Sequence, residues 1–139
     1  MLTVHATTIA IDGRGVLLRG RSGSGKSDLA LRLIEDGAEL VADDRTAMVT
    51  EGDRVIAEAP AALAGLLEVR GVGIVTLPYR ARVALSLLAD LDVAPDRLPE
   101  REEDTIGGIK LPRVAIAPFE ASAPAKLRLA LRQGVGVSP

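Results

Sequence analysis

The sequence predicts an α/β protein whose mixed sheet is built around a phosphate-binding glycine loop, a P-loop. Three observations lead there. Residues 20–27, GRSGSGKS, satisfy G-x-x-x-x-G-K-[ST]. A β-branched run precedes them, and leucines at helical spacing follow. Beyond residue 45 the chain breaks into short β-rich runs separated by turn residues.

The elements follow in order. TVHATTIAI (3–11) reads as a strand, Asp12-Gly13-Arg14-Gly15 as a turn and VLLR (16–19) as a second strand. After the glycine loop, Ser27 to Asp36 reads as a helix. Leu29 and Leu33 lie one turn apart, as do Ala30 and Ile34, and Gly37 is the stop. ELVA (39–42) is a short strand ending at Asp43-Asp44, so strand, helix and strand predict a βαβ unit with a parallel pairing. TAMV and RVIA flank Glu51-Gly52-Asp53 as a hairpin. PAALAGLLEV (60–69) reads as a short helix leading into the loop Arg70-Gly71-Val72-Gly73. IVTLP, RVALSLLA and RVAIAP are strand-like, residues 94–104 read as a loop, and residues 124–132 as a helix with Pro124 in its first turn. With 139 residues and no repeat or boundary, one domain over residues 1–139 is expected.

Composition narrows the function. Hydrophobic residues make up 47% and charged residues 26%, so the chain is globular. Tyr79 and Phe119 are its only aromatics, which leaves the core to Leu, Val, Ile and Ala. The net charge of -2 makes no electrostatic case for nucleic acid or an anionic membrane. Having no cysteine, the chain offers no disulfide and no thiolate metal site. No apolar run could span a bilayer, and the N-terminus lacks the pattern of a secretory signal, so a cytoplasmic location is expected.

The glycine loop carries the chemistry. Glycines let successive backbone N–H groups of Gly20, Arg21, Ser22, Gly23, Ser24 and Gly25 turn towards an anion, and the helix adds its positive end. Lys26 can reach the outer phosphates, and the Ser27 hydroxyl can ligate a Mg²⁺ ion that bridges phosphate oxygens. A nucleoside triphosphate is the natural ligand. Asp43 and Asp44 end the next strand, where ligands of parallel α/β sheets bind. Adjacent strand residues point to opposite faces. One acid could therefore hold Mg²⁺ or its water while the other accepts a proton from an attacking hydroxyl. An ordinary acidic turn is the competing reading. Glu68 and Arg70 alternate with apolar residues in LLEVRGVGIV, a pattern that by spacing alone favours a buried salt bridge. His5, the only histidine, reads alone as a surface or satisfied core residue, and Arg97 as solvated.

Taken together and in order, the strand bearing His5, GVLLRGRSGSGKSDLAL, LVADDR, LLEVRGVGI, DRLPE and IKLPRVAIAP resemble the C-terminal catalytic domain of HPr kinase/phosphorylase. The resemblance runs over nearly the whole chain and implies the PEP-carboxykinase-like fold of that domain. It implies a cytoplasmic protein serine kinase that uses ATP to phosphorylate a serine of HPr, the phosphocarrier of the sugar phosphotransferase system. It also implies the reverse reaction, in which inorganic phosphate removes that group as pyrophosphate. Carried over, Gly20 to Ser27 hold the nucleotide phosphates and Ser27 and Glu68 are Mg²⁺ ligands. Asp44 is the base towards the serine hydroxyl and the acid in reverse, and Lys26, His5 and Arg97 match further active-site positions. Leu67 to Thr76 correspond to a segment implicated in both activities, and Ala117 to Ser122 to one implicated in dephosphorylation, where the residues match poorly.

The chain departs from the family's usual pattern. The spacing from LLEVRGVGI to DRL is short, and Asp28 stands where glutamate is usual. A minimal form is expected, without the family's N-terminal domain and without the helical tail that helps build its hexamer. A different carrier protein could then be the substrate. Two other functions compete: a P-loop kinase for a small metabolite, with residues 94–104 as its lid, and a nucleotide-sensing regulator that transfers nothing.

Overall fold

The central strand of the fold, Val83–Asp90, has a near-continuous apolar sequence because both of its faces are covered. A computed structural model describes residues 2–134, so the single domain expected over 1–139 extends past them by Met1 and residues 135–139. In chain order the strands are β1 (Leu2–Val4), β2 (Ala6–Ile11), β3 (Arg14–Arg19), β4 (Glu39–Ala42), β5 (Thr46–Glu51) and β6 (Arg54–Glu58). They continue with β7 (Leu66–Val69), β8 (Gly73–Thr76), β9 (Val83–Asp90), β10 (Glu102–Ile106) and β11 (Ile109–Ala115). The helices are α1 (Lys26–Glu35) and α2 (Ala123–Gln133). The main sheet runs β1-β5-β6-β9-β3-β2-β4, with β11 also on β9 and β10 on β11; β7 and β8 form a separate hairpin.

Two apolar layers flank this sheet. On one face Ile9, Val16, Leu18, Leu87 and Ala89 meet Leu29 and Leu33 of α1 and Leu127 and Leu131 of α2. On the other, Ala6, Ala10 and Leu17 meet Met48, Val55, Ala57 and Leu85. Strands β5 and β6 lie far from β2 along the sheet order, so the sheet must curl back on itself for these residues to touch. A bulge opposite Gly15–Val16 lets Leu85 and Leu87, two residues apart, serve opposite layers. The helix faces expected from leucine spacing are the buried ones, each full Leu burial being worth about 1.5–3 kcal/mol. No helix among the described residues is long and apolar enough to cross a membrane.

Several expected elements differ. The strand over 3–11 breaks at His5, and its two parts pair with different partners, β1 with β5 and β2 with β3 and β4. The parallel βαβ pairing is not formed: β2 inserts between β3 and β4 and runs antiparallel to both. The parallel neighbours of this sheet are β3 with β9 and β9 with β11, pairings between segments too distant for local pattern to reveal. Residues 60–69 form a single 3₁₀ turn (Ala61–Leu63) and then β7, since Gly65, at φ 78°, stops a helix. The loop expected over 94–104 ends at Glu102, where β10 begins.

The parallel strands are tied at their carboxyl ends by an ion cluster. Arg19 donates to both oxygens of Asp90, at 2.7 and 3.1 Å, and to Asp104 at 2.9 Å; Arg113 lies 3.7 Å from Asp90 and pairs with Glu102. The hydrogen bond from Arg19, and then the Thr105 N–H, hold the Asp104 carboxyl below the usual carboxylate range. Replacing Arg19 with Met leaves Asp90 largely buried beside one distant cation, and should lower stability by about 1–3 kcal/mol at neutral pH. A reduced urea midpoint would register this. Because the folded value of Asp104 is depressed, its contribution is complete above the ordinary carboxylate pKa and is lost as pH falls through the lowered value. Asp104→Asn should therefore be less stable than the parent at pH 7 and converge on it in acid.

Candidate active site

The glycine loop crosses from β3 to α1 in a conformation that its sequence dictates. Gly23 and Gly25 have φ of 82° and 102°, values that side-chain-bearing residues rarely adopt. At Gly20 a Cβ would overlap the Ser24 side chain, which folds inward and leaves its buried Oγ without a partner. Ser24 N–H donates to the Arg21 carbonyl at 3.0 Å and Leu29 N–H to that of Gly25 at 2.9 Å. Among the described residues, the N–H groups of Gly25, Lys26 and Ser27 find no backbone acceptor and stand at the positive end of α1. The loop's far side is anchored by Asp92, which accepts from Arg21 N–H at 2.7 Å.

Lys26 is buried, and its Nζ donates to the carbonyls of Gly20 (2.7 Å) and Arg21 (3.0 Å). An ammonium has three donors, so one remains for an anion in the cleft. That cleft, of about 420 Å³, is lined by Ser22, Gly23, Lys26, Ser27, Asp44, Glu68 and Arg70, with Leu31, Val69 and Phe119 as its apolar part.

The two aspartates after β4 do different things. Asp43 is buried, and its Oδ1 accepts from Ser27 Oγ at 2.7 Å and Thr7 Oγ1 at 3.1 Å, its Oδ2 from Glu68 N–H at 3.0 Å. Asp44 turns to φ 64°, a left-handed conformation, and its N–H donates to Thr7 Oγ1 at 3.1 Å. That turn carries its side chain to the cleft, where Oδ1 accepts from His5 Nε2 at 2.5 Å. The break between β1 and β2 sets His5 there. His5 is a surface residue, as one of its two readings alone had it, and it also braces the exposed acid.

Glu68 and Arg70 do not form the buried salt bridge favoured by spacing. Both are exposed and line the cleft, with Leu67 beneath them fully buried. The Arg70 Nη2 lies 3.5 Å from where a Cβ of Gly23 would sit, so its guanidinium overlooks the glycine loop. Arg97 is not brought to the cleft: the segment carrying it folds against Arg113 and Val114 around its own cavity of about 160 Å³. Sequence reasoning passed over Arg70 as a cleft residue and left Asp43 without a settled role. The alternation that flagged Glu68 applied equally to Arg70.

The donor set suits Mg²⁺. Ser27 Oγ and the Glu68 carboxylate are hard oxygen donors in one cleft, and Mg²⁺ takes one or two protein ligands together with phosphates and water. Among the described residues no group of three or more His, Cys, Asp or Glu forms an all-protein cage, and this kind of site needs none. The cradle of free N–H groups with Lys26 and Arg70 suits a polyphosphate.

Comparison with known proteins bears on the family and the fold. The family model described as HPr Serine kinase C-terminal domain matches residues 1–80. The HPr kinase/phosphorylase of Latilactobacillus sakei is 37% identical over 128 residues, covering 82% of this chain and 41% of the relative. That of Geobacillus kaustophilus is 37% identical over 112 residues, 75% of this chain and 35% of the relative. The chain thus spans about two-fifths of the length of the curated relatives it matches. Among solved structures, the Hpr(Ser) kinase/phosphatase from Coxiella burnetii superposes with a TM-score of 0.83 at 26% identity, covering 95% of both chains.

Asp43→Ala should strand three donors at once, on β2, α1 and β7. A loss of about 2–4 kcal/mol in urea unfolding is expected, with faster amide exchange at Glu68 than at Leu67.

Proposed function

The chain belongs to the HPr Serine kinase C-terminal domain family, and from that premise we propose that it is a cytoplasmic catalytic domain transferring the γ-phosphoryl group of ATP to a serine hydroxyl of HPr or a related phosphocarrier protein. The observation that carries this reading is the placement of Asp44, braced by His5, in the same cleft as Lys26 and Ser27. A metabolite kinase needs a closing lid, and the last three residues of the candidate segment 94–104 are instead part of β10, paired with β11.

In the forward direction the Asp44 carboxylate accepts the serine proton as Oγ bonds to the γ-phosphorus and the bridging bond to ADP breaks. His5 holds that carboxylate in one orientation. Lys26 and the loop N–H groups bind the phosphates, and Arg70 offsets charge on the transferred group. Ser27 and Glu68 would hold Mg²⁺, which when bound supplies charge neutralisation at the phosphate oxygens. In reverse, inorganic phosphate would occupy the same cradle, one of its oxygens would bond to the phosphoserine phosphorus to form pyrophosphate as the P–Oγ bond breaks, and protonated Asp44 would give its proton to the departing serine oxygen. Homo-oligomerisation is part of this reading; the hexamer is the family's, built with the helical tail that the minimal form is expected to lack.

Incubating the protein with labelled ATP, Mg²⁺ and a purified HPr-type carrier should place acid-stable label on serine. Asp44→Asn should slow the transfer by about 10²- to 10⁴-fold with little change in ATP affinity. Label insensitive to that change would remove the base assignment, and label on small metabolites alone would favour the metabolite kinase. Lys26→Ala should weaken nucleotide binding and abolish transfer; full turnover at saturating ATP would contradict the cradle. Glu68→Gln should raise the Mg²⁺ concentration needed for half-maximal rate, which an unchanged titration would refute.

A further inference from the structure

The only phenylalanine of the chain, Phe119, is 69% exposed, an unusual place for a large apolar ring in a protein with just two aromatics. Its position is held by several bonds. Arg32 of α1 donates to the carbonyls of Pro118 and, at 3.2 Å, Glu120; Glu120 N–H closes the turn onto Ala117 at 3.3 Å. Lys126 then pairs with the Glu120 carboxylate at 3.1 Å, and Asp28 sets Arg32 at 2.9 Å. The backbone around Phe119 is thus fastened to both helices while the ring itself stays out of the core.

The ring stands beside the phosphate cradle. A Cβ at Gly25 would lie 2.9 Å from its Cζ and 3.1 Å from its Cε1, so the ring meets the glycine loop by an edge. An edge-on ring with this much exposure leaves π-surface open. It lines the cleft whose polar lining is Lys26, Ser27, Asp44, Glu68 and Arg70, together with the apolar side chains Leu31 and Val69. Phosphate chemistry accounts for the polar residues and gives no use for an aromatic ring, whereas a planar heteroaromatic base needs such a surface.

We propose that Phe119 is the platform on which the base of the bound nucleotide stacks, making the 117–120 turn the part of the site that distinguishes a nucleotide from a bare polyphosphate. This rests on the nucleotide-binding reading above and adds the element that recognises the base. Stacking is indifferent to exocyclic groups, so the platform selects an aromatic base and not adenine in particular.

The test compares two ligands, ATP and inorganic tripolyphosphate, each titrated calorimetrically with Mg²⁺ into wild-type protein, Phe119→Ala and Phe119→Trp. Phe119→Ala should weaken ATP binding by roughly 5- to 150-fold and leave tripolyphosphate unchanged, and Phe119→Trp should restore ATP binding. Equal weakening of both ligands would mean that the ring only props Gly25, and would overturn the proposal. So would ATP binding that Phe119→Ala does not alter, or wild-type protein that binds tripolyphosphate as tightly as ATP. Wild-type protein that binds neither ligand would reject the cradle itself, and the platform with it.

Discussion

The carboxylate of Asp43 is the joint at which this site is assembled. It accepts one hydrogen bond each from a strand of the main sheet (Thr7), the first turn of α1 (Ser27) and the separate hairpin (Glu68 N–H). Among the described residues no cation pairs with this buried carboxylate, so hydrogen bonds have to offset its desolvation, and these three donors supply them. The same bonds orient groups that Asp43 does not itself present. By donating its proton to Asp43, the Ser27 hydroxyl keeps its lone pairs for a metal ion. Holding the Glu68 N–H fixes β7 so that the next side chain inward is the buried Leu67 and the Glu68 carboxylate faces the cleft.

The division between Asp43 and Asp44 follows from backbone conformation. A strand would alternate the two side chains automatically, but β4 ends at Ala42. The turn into the left-handed region at Asp44 provides the separation instead, and Thr7 receives the strained residue's N–H. One hydroxyl, Thr7 Oγ1, thus touches both residues, donating to the structural acid and accepting from the reactive one's backbone. A left-handed non-glycine residue costs of order 1–3 kcal/mol, and such strain persists where its surroundings over-determine it. Here His5, Thr7 and Asp43 provide that constraint.

Local chemistry was legible in the sequence and non-local geometry was not. The glycine loop, the buried faces of both helices and the acidic pair could be read because each depends on spacing within about ten residues. The insertion of β2 between β3 and β4 could not, since nothing in ELVA says which strand it will join. The break at His5 was invisible for a related reason: TVHATTIAI is β-prone throughout, and only the divergence of β5 from β4 forces its two ends apart. Glu68 and Arg70 show a different failure. Alternation established that they share a face, but not whether that face is inside or outside, and this hairpin stands apart from the main sheet with its charged face towards the cleft. Arg97 was brought in by family resemblance, yet the segment that carries it is exposed and lines a cavity of its own with β11.

The ion cluster behind the site gives these pieces a common frame. Arg19 immediately precedes Gly20, the first residue of the glycine loop, and Asp90 ends the strand that leads to Asp92. The Arg19–Asp90 pair joins β3 to β9 at one level, and Asp92 accepting from Arg21 N–H joins the same two chain segments two residues further on. Leu91 N–H, donating to the Arg19 carbonyl at 2.8 Å, closes the gap between them. Three successive ties of this kind leave the loop little freedom to shift relative to the parallel strands, so its N–H groups are aimed before any anion arrives. Preorganisation of that sort reduces the ordering cost of binding and keeps donors fixed while charge redistributes during transfer. The outermost charges of the cluster, Asp104 and Arg113, are the more exposed ones and contribute less through their own Coulomb energy than by holding Arg19 and Asp90 in register.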